Sequence, residues 1–467
     1  MIHQYKNNGF NIVLDVNSGA VHTVDDPVYD MIGYLRETDE DMTIDEISST
    51  SLRDNVIHHF EGRFTKEESE ELLDEITELV RDGQLFTGDV FESFANEVKA
   101  RKTVVKAMCL HVAHDCNLAC RYCFAEAGEY HGRRALMSVE TGRKALDFLI
   151  ENSGSRRNLE VDFFGGEPLL DWSAVKELVA YGREQEKLHD KHFRFTITTN
   201  GVLLNDEIGD FLNREMDNVV LSLDGRRDVH DRMRPFRNGK GSYDLIVPKF
   251  QRFVETRGTK QYYVRGTFTR YNLDFLKDIL HYADLGFRQI SIEPVVTDPK
   301  EPYAIREEDI PAILEEYDRL ASEMIRRERE GRGFNFFHFM IDLNGGPCVA
   351  KRLSGCGSGT EYLAVTPWGD LYPCHQFVGE DKFCMGNVDE GITHPEIADK
   401  FRECGVYTRP KCRDCFAKFY CSGGCMANSY HLHHTINDCY DIGCELERKR
   451  VECAIMIRAA LAEEKEN

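Results

Sequence analysis

Apolar and polar positions alternate through the first residues in a way that predicts a small mixed domain. The stretch FNIVLDV (10–16) alternates as a half-buried strand does, and the turn NSG leads into a second short strand, AVHTV. Helical apolar stripes follow at residues 28–35 and 72–80, the second after a capping-box sequence formed by Thr65 and Glu68. Strands followed by helices predict a winged-helix-like module at the start of the chain.

Residues 104–300 repeat one pattern six times, an apolar strand followed by a helical stretch. The strands are rich in β-branched residues, which indicates a parallel sheet curled into an incomplete barrel. Their sequences are VKAMCLHVA, LEVDFFG, HFRFTITT, NVVLSLD, YYVRGTFT and RQISIEPV. We therefore expect an α/β fold with a partial (β/α)6 TIM-like barrel, whose chemistry lies at the carboxyl ends of the strands. The charged stretch 92–103 is expected to be a linker.

From about residue 346 the pattern changes, because apolar periodicity is largely lost and cysteines become frequent. Twelve of the sixteen cysteines lie between Cys348 and Cys453, with Gly-rich links such as SGCGSG and CSGGC. A region so poor in core residues needs metal to hold it. Only a final helix near 444–463 restores a regular pattern.

Composition narrows the classes of function. The net charge is −23, from 58 basic and 81 acidic residues, which argues against a nucleic-acid or membrane-surface binder, since those need clustered Lys and Arg. No apolar run approaches membrane-spanning length. We expect a cytoplasmic protein whose thiols stay reduced, so its cysteines indicate metal binding or catalysis.

The loop after the first barrel strand, DCNLACRYCF, carries three cysteines and then stops. Cys116, Cys120 and Cys123 are spaced by four and three residues, whereas a closed zinc or ferredoxin-type site needs four ligands. The spacing alone does not say what three thiolates without a fourth would bind.

This loop resembles the CxxxCxxC loop of radical S-adenosylmethionine (SAM) enzymes. The resemblance implies that the three thiolates hold three irons of a [4Fe–4S] cluster and leave one iron for SAM. The resemblance further implies that the reduced cluster passes an electron to the sulfonium of SAM and so releases a 5′-deoxyadenosyl radical. This chemistry needs a reduction potential at the low end of the range for iron–sulfur clusters. Cys116, Cys120 and Cys123 are then the catalytic residues.

Other stretches resemble the SAM-binding motifs of the same family. Gly165-Gly166-Glu167-Pro168 resembles the GGEP motif, whose carboxylate suits the ammonium of SAM, and TTNG (198–201) resembles the ribose-side loop. By the same resemblance the cofactor-binding residues are Tyr122, Gly165, Gly166, Glu167, Ser222 and Arg234. The resemblance places Tyr122 beside the adenine of SAM, Ser222 at the ribose and Arg234 at the carboxylate.

The cysteine-rich end resembles a SPASM domain, which carries two auxiliary clusters. The resemblance assigns Cys356, Cys374 and Cys425 to the first auxiliary cluster. It assigns the second to Cys412, Cys415, Cys421 and a late cysteine, for which Cys444 is favoured over Cys439. Three [4Fe–4S] clusters are thus expected in all.

The SPASM pattern supplies seven ligands, whereas two fully ligated clusters need eight. Either Cys348 is the eighth ligand, or the first auxiliary cluster keeps an open iron for a substrate cysteine. The sequence leaves both alternatives open, and we expect the open iron.

The order of domains resembles the maturases of six-cysteine (SCIFF) peptides, which form thioether crosslinks. It implies a precursor-peptide recognition element over residues 1–95, a radical SAM barrel over 96–325, a bridging segment over 326–345 and a SPASM domain over 346–467. The implied partners are a cysteine-rich precursor peptide, whose leader adds a strand to the first domain, and a flavodoxin- or ferredoxin-type reductant.

Three alternatives compete with thioether formation. Two are enzymes, a sulfatase-maturing type that makes formylglycine and a carbon–carbon crosslinking type. The third is an iron–sulfur electron carrier or redox sensor, which has no need of a SAM pocket. The acceptor carbon, the number of crosslinks and the oligomeric state do not follow from the sequence.

Overall fold

The computed structural model describes residues 1–343 and 349–466. The chain begins with a three-stranded antiparallel sheet in the order β1-β2-β3. Its strands are β1 (Ile2–Asn7), β2 (Phe10–Asp15) and β3 (Val21–Val24). The second and third strands confirm the predicted pair. The first was not predicted, because IHQYKN is mostly polar and buries only some of its side chains.

Four helices follow this sheet, α1 (Asp26–Thr38), α2 (Ile44–Ile47), α3 (Thr50–His59) and α4 (Lys66–Arg81). The predicted capping box is present, since Thr65 N donates to Glu68 Oε2 at 2.7 Å and Glu68 N donates to Thr65 Oγ1 at 3.1 Å. Apolar side chains of the sheet and of all four helices form a separate small core. The winged-helix-like description of this unit stays a prediction.

The stretch 92–103, expected to be a linker, is largely helical. Helix α5 runs over Phe91–Ala100 and buries none of its side chains fully. Phe91 contacts the ring of Phe419 edge-on at 5.0 Å, and Arg413 forms an ion pair with Glu92 at 2.5 Å. These contacts with the cysteine-rich region stabilise a helix where charge alone suggested an irregular link.

Six parallel strands form the predicted partial barrel, in the order β10-β9-β8-β7-β6-β4. The strands of this part of the chain are β4 (Ala107–His114), β5 (Ala135–Leu136), β6 (Asn158–Gly165), β7 (His192–Thr199), β8 (Asn218–Ser222), β9 (Gln261–Phe268), β10 (Gln289–Pro294) and β11 (Asn335–Phe336). Its helices are α6 (Val139–Asn152), α7 (Trp172–His189), α8 (Asp206–Glu215), α9 (Arg227–Met233), α10 (Tyr243–Arg257), α11 (Leu276–Asp284) and α12 (Ile310–Arg329). The predicted α/β barrel is confirmed.

Alternation along each strand divides the barrel into an apolar outer layer and a polar interior. On β6, Leu159, Val161 and Phe163 are fully buried under the helices, whereas Glu160 and Asp162 are more accessible. The same division on the other strands gives the interior space in which a polar substrate can be held.

The cysteine-rich region continues the barrel sheet instead of standing apart from it. Its strands are β12 (Tyr362–Val365), β13 (Asp370–Tyr372), β14 (Gly386–Asn387) and β15 (Gly391–Ile392), and β12 pairs in parallel with β4. Its helices are α13 (Val349–Ser354), α14 (Pro395–Arg402), α15 (Pro410–Arg413), α16 (Lys418–Cys421), α17 (Met426–His433) and α18 (Asp441–Glu466). The predicted final helix is α18.

The segment 326–345, expected to bridge two domains, partly belongs to the barrel. Helix α12 continues to Arg329, and β11 pairs in parallel with β10. The short strand NF was too brief to be recognised from its sequence.

Helix α18, which belongs to the cysteine-rich region, contacts both the amino-terminal sheet and the barrel. Tyr5 Oη in β1 donates to the carbonyl of Glu452 at 2.9 Å, and Arg450 Nη2 donates to Tyr317 Oη in α12 at 2.7 Å. Next to this helix, the ring of His3 stacks on Phe416 at 3.5 Å. The amino-terminal sheet is thereby packed against the cysteine-rich region. Among the described residues, none of these helices has the length and apolar character needed to cross a bilayer.

Candidate active site

The loop with Cys116, Cys120 and Cys123 follows β4 at the carboxyl edge of the barrel. Ala119 N donates to the carbonyl of Pro235 at 2.8 Å, and Arg121 N donates to that of Met233 at 2.9 Å. Two backbone bonds thus fasten the loop to the segment after α9. Burial raises the pKa of Cys116 and of Cys120 to about 12, and the neighbouring thiols act in the same direction.

The glycines of the GGEP motif allow the end of β6 to approach this loop closely. A Cβ atom at Gly165 would lie 2.3 Å from the carbonyl oxygen of Ala113, and one at Gly166 would lie 2.2 Å from that of Asp115. Gly165 also has φ +127°, a conformation that other residues rarely adopt. Gly166 N donates to Ala113 O at 2.7 Å. Glycine is therefore required here for backbone approach.

The Glu167 carboxylate, which the resemblance assigns to the ammonium of SAM, is hydrogen-bonded to protein groups in the structure. Its carboxylate is 1% exposed, and it accepts hydrogen bonds from Leu169 N at 3.0 Å, Thr199 Oγ1 at 2.7 Å and Asn200 N at 2.8 Å. Burial raises its pKa to about 7, against the lowering effect of these donors. In the structure Glu167 braces the loops after β6 and β7, and its role toward the ammonium of SAM stays a prediction.

Asn200, in the TTNG loop after β7, connects that loop to the three cysteines. Its Nδ2 donates to Asn117 Oδ1 at 2.8 Å and lies 3.6 Å from Cys116 Sγ. Glu167 and Asn200 together join the loops after three neighbouring strands. The sequence identified this loop but not its contact with a ligand sulfur.

Tyr122 and Arg234, expected at the adenine and the carboxylate of SAM, converge instead on Asp224. Tyr122 Oη donates to Asp224 Oδ2, and Arg234 Nε lies 2.9 Å from Asp224 Oδ1. Asp224 is fully buried and also accepts from Thr267 N at 3.0 Å. Asp224 thus positions both side chains, and their contacts with SAM stay a prediction. Sequence analysis missed Asp224, although it lies in LSLDG directly after β8.

Ser222 faces the barrel interior, as its proposed place beside the ribose requires. Its backbone pairs in register with Arg265 on β9, and its hydroxyl makes no hydrogen bond to any described residue. Arg265 Nη2 forms an ion pair with Glu293 Oε1 on β10 at 2.6 Å. Burial acts to raise the pKa of Glu293, but Arg265 and His338 together hold it at about 2. A fixed ion pair thus lies in the interior, and the sequence did not identify it.

The structure brings the three thiols of the expected first auxiliary site together. Cys356, Cys374 and Cys425 come from three separate segments, and their thiols act on one another: burial raises the pKa of Cys374 to about 12, with Cys425 and Cys356 adding to the shift. Glu293 raises the pKa of Cys425 in turn, after the larger effect of burial. The charge of Glu293, on β10, thus reaches this thiol group.

The second thiol group contains five cysteines, one more than expected, because Cys439 and Cys444 are both present. Cys439 Sγ lies 3.3 Å from Cys412 Sγ and is hydrogen-bonded to the thiol of Cys444. The remaining members are Cys415 and Cys421. The ligands of a cubane cluster diverge around it, so a thiol touching two others lies beside the cluster. This favours Cys444 over Cys439 as the ligand.

The other cysteines lie apart from these groups. Cys109 is buried in β4 as expected, and Cys384, Cys404 and Cys453 contact backbone carbonyls or Asp318. Cys348 lies outside the described residues. In the described ranges, no three His, Cys, Asp or Glu side chains are close enough to hold one metal ion. Thiol groups with this spacing suit polynuclear iron–sulfur clusters, in which each iron takes its own thiolate.

Two aromatic side chains connect the first cysteine loop to the first auxiliary thiol group. Phe124 follows Cys123 and His375 follows Cys374, and their ring centroids are 5.6 Å apart. His375 also lies 5.1 Å from the ring of Phe164 on β6. One substrate segment can thus contact the neighbourhood of both sites.

Comparison with known families agrees with this geometry. Residues 110–257 match the radical SAM superfamily, and residues 356–416 match SPASM, an iron–sulfur cluster-binding domain. The chain therefore contains a radical SAM region and a SPASM region. The first match covers β4 to α10, and the second begins at Cys356.

Three similar proteins illustrate the range of this radical SAM group. The radical SAM cyclopropyl synthase TigE of Paramaledivibacter caminithermalis is 21% identical over 456 residues, covering 90% of this chain and 86% of that protein. A cysteine-type anaerobic sulfatase-maturating enzyme of Clostridium novyi is 23% identical over 335 residues, covering 67% and 86%. The structure of Streptococcus suis SuiB bound to precursor peptide SuiA has a TM-score of 0.52 at 15% identity, covering 94% of this chain and 97% of that one.

Gly166→Ala tests the close approach of β6 to the cysteine loop. The new Cβ would meet the Asp115 carbonyl, so the loop must shift at a cost of about 1–3 kcal/mol. We expect less iron at the first site and at least tenfold slower SAM cleavage. Gly132→Ala is the matched control, because its Cβ would meet nothing nearer than 3.5 Å. Equal iron content and rates in the two variants would contradict the steric argument.

Proposed function

We propose that this chain modifies a ribosomally made, cysteine-rich precursor peptide by joining a cysteine sulfur to a carbon of another residue. The observation that carries the proposal is the contact of Phe124 with His375, side chains adjacent to Cys123 and Cys374. A carbon radical formed near the first site would lie close to a sulfur held near the second. Formation of a thioether crosslink requires the carbon radical and the cysteine sulfur to be on the same peptide.

The reaction balances with SAM and a reductant. One electron and SAM give methionine and a 5′-deoxyadenosyl radical, which takes a hydrogen atom from the acceptor carbon. The donor thiol loses its proton, the sulfur–carbon bond forms, and one electron leaves the peptide. The iron–sulfur clusters would supply and accept these electrons, and three [4Fe–4S] clusters are our assignment. The peptide thus loses two hydrogen atoms for each crosslink.

We assign the site residues to these roles. Cys116, Cys120 and Cys123 would hold the SAM-cleaving cluster, with Asn200 donating to Cys116 sulfur. Ser222 has a free hydroxyl for the ribose. The Arg265–Glu293 pair offers a donor and an acceptor to peptide groups entering the interior.

The amino-terminal unit is proposed to bind the leader of the precursor peptide. Among the described residues β3 pairs only with β2, so its outer edge can accept another strand. The groove beside that edge is lined by Val21–Asp25, Val28 and, from α4, Glu75, Ile76 and Leu79. An extended peptide there would gain backbone hydrogen bonds and apolar contacts.

We propose that the first auxiliary cluster is held by Cys356, Cys374 and Cys425 and keeps one iron open. An open iron there would favour the deprotonated form of a substrate thiol. Cys412, Cys415, Cys421 and Cys444 would hold the second cluster. The three thiols of the first group accord with the open form, with Cys348 as the competing ligand.

A sulfatase-maturing activity is the second candidate, because the Clostridium novyi enzyme is 23% identical to this chain over 335 residues. The amino-terminal unit with an open strand edge favours a peptide with a leader instead. A carbon–carbon crosslink would leave every substrate thiol free. An electron carrier would produce no 5′-deoxyadenosine.

The reductant is proposed to be a flavodoxin or ferredoxin, and the cytoplasm is the proposed location.

Replacing Cys116, Cys120 and Cys123 together by Ala tests the SAM-cleaving site. We expect 5′-deoxyadenosine formation to fall below detection while the SPASM region keeps its iron, since its thiols lie on other segments. Cys384→Ala is the control, because this thiol belongs to neither auxiliary group. SAM cleavage by the triple variant would refute the assignment.

Leu79→Glu tests the leader groove in the full-length enzyme. A carboxylate in the groove should weaken precursor binding about tenfold or more, measured by fluorescence anisotropy, with SAM cleavage in the absence of peptide unchanged. Leu72→Glu is the matched control, because Leu72 is a half-buried leucine of the same helix outside the groove. Equal peptide affinities in both variants would remove the groove from the account.

Cys348→Ala separates the two forms of the first auxiliary cluster. If a substrate thiol completes the cluster, iron content and crosslinking both survive the substitution. Iron analysis and Mössbauer spectroscopy without peptide provide the measurement. Loss of that cluster's iron would make Cys348 the ligand and close the site.

A further inference from the structure

Arg409 is among the most deeply buried large side chains of the protein, yet it has no acidic partner. It is 2% exposed, and no carboxylate of the described residues forms an ion pair with it. Nη2 donates to the carbonyl of Ile436 at 2.9 Å, while the buried Nε has no hydrogen-bond partner. A buried guanidinium left this way is costly unless an anion lies beside it.

Other buried arginines of the chain are fully accommodated. Arg257 donates to several carbonyls, including Leu212 O at 3.0 Å and Met216 O at 3.0 Å, and Arg327 pairs with Asp284 at 2.9 Å. Arg409 has neither arrangement. The side-chain group that hydrogen-bonds to this guanidinium is the thiol of Cys404, and its Nε–H is available to a further acceptor.

The surroundings of Arg409 are sulfur atoms. It precedes Cys412 by three residues, and its charge acts on the buried thiol of Cys404 and on Cys412 and Cys439. The guanidinium also lies under the loop between Cys421 and Cys425, where a Cβ at Gly423 would be 3.4 Å from Nη1. The cation thus lies against the second thiol group.

We propose that Arg409 is the counter-charge and hydrogen-bond donor of the cluster at the second thiol group, and that it raises the reduction potential of that cluster above that of the first. This inference rests on the proposed two-cluster function. A cluster with four thiolates is anionic and becomes more so on reduction, so a buried cation stabilises its reduced form. Hydrogen bonds to cluster sulfur and nearby charge are established determinants of potential.

Arg409 shares the second thiol group with other charged side chains, among them the carboxylate of Glu447, which acts on Cys421. Arg448, hydrogen-bonded to Cys415, adds a second guanidinium at the second group. At the first group, the carboxylate of Glu293 acts on Cys425. The electron that leaves the peptide as the sulfur–carbon bond forms would therefore pass from the first cluster to the second. Arg409 would set this direction.

A redox titration monitored by electron paramagnetic resonance tests the proposal. The parent is the full-length holoprotein with Cys116, Cys120 and Cys123 replaced by Ala, so that only the auxiliary clusters contribute to the signal. Arg409→Met should lower the equilibrium constant for reduction of one cluster at least tenfold, about 59 mV for one electron. The affected signal should be the one lost in Cys412→Ala. Arg409→Lys keeps the charge without the planar Nε–H and should show a smaller shift. Arg413→Met is the control, since Arg413 pairs with Glu92 at the surface.

If Arg409→Met keeps its full iron content and both reduction equilibrium constants stay within twofold of the parent, this inference is overturned. The proposed function would stand in that case. A shift confined to the first cluster would overturn this inference as well. If Arg409→Met loses iron, the Arg409→Lys variant is the test. A shift in the potential of the second cluster in that variant supports the proposal, and an unchanged potential overturns it. A parent without auxiliary iron would refute the two-cluster assignment, and this inference with it.

Discussion

Strand β4 is paired on both edges, and the arrangement of the whole site depends on that constraint. On one side it pairs with β6 and on the other with β12. The chain leaves β4 toward Cys116, whereas β12 leads through β13 to Cys374. Because hydrogen-bonded neighbours hold the middle strand in register, the first cysteine loop and the first auxiliary thiols are fixed relative to each other. The contact of Phe124 with His375 follows from this pairing.

Buried carboxylates position the loops at the barrel edge. Glu167 accepts bonds from the loops after β6 and β7, and Asp224 accepts bonds from Tyr122 and Thr267 N and pairs with Arg234. Removing one partner of such a buried group typically costs about 1–3 kcal/mol. The side chains that sequence motifs associate with SAM are, in this chain, largely engaged in holding the loops together.

Local periodicity allowed the sequence to predict β2, β3, the helix after Thr65, the six barrel strands and the final helix. The resemblance to a SPASM domain predicted the grouping of the auxiliary thiols, and the structure adds Cys439 to the second of the two groups. The sequence could not predict β1, whose burial depends on α18, or the joining of β12 to β4, which is separated from it by the whole barrel. Asp224, the Arg265–Glu293 pair and the unpaired Nε of Arg409 were missed for the same physical reason. Their partners are distant in sequence and leave no periodic pattern.

The central claim is that one peptide segment is held between the SAM site and the first auxiliary thiols and is crosslinked there. The most direct measurement is high-resolution mass spectrometry of the precursor peptide after reaction with reduced enzyme and SAM, with thiol alkylation and quantified 5′-deoxyadenosine. The account predicts loss of two hydrogen atoms and of one alkylatable thiol per crosslink, with at least one 5′-deoxyadenosine formed each time. Loss of two hydrogen atoms with every thiol still alkylatable, or conversion of a cysteine to an aldehyde, would contradict it.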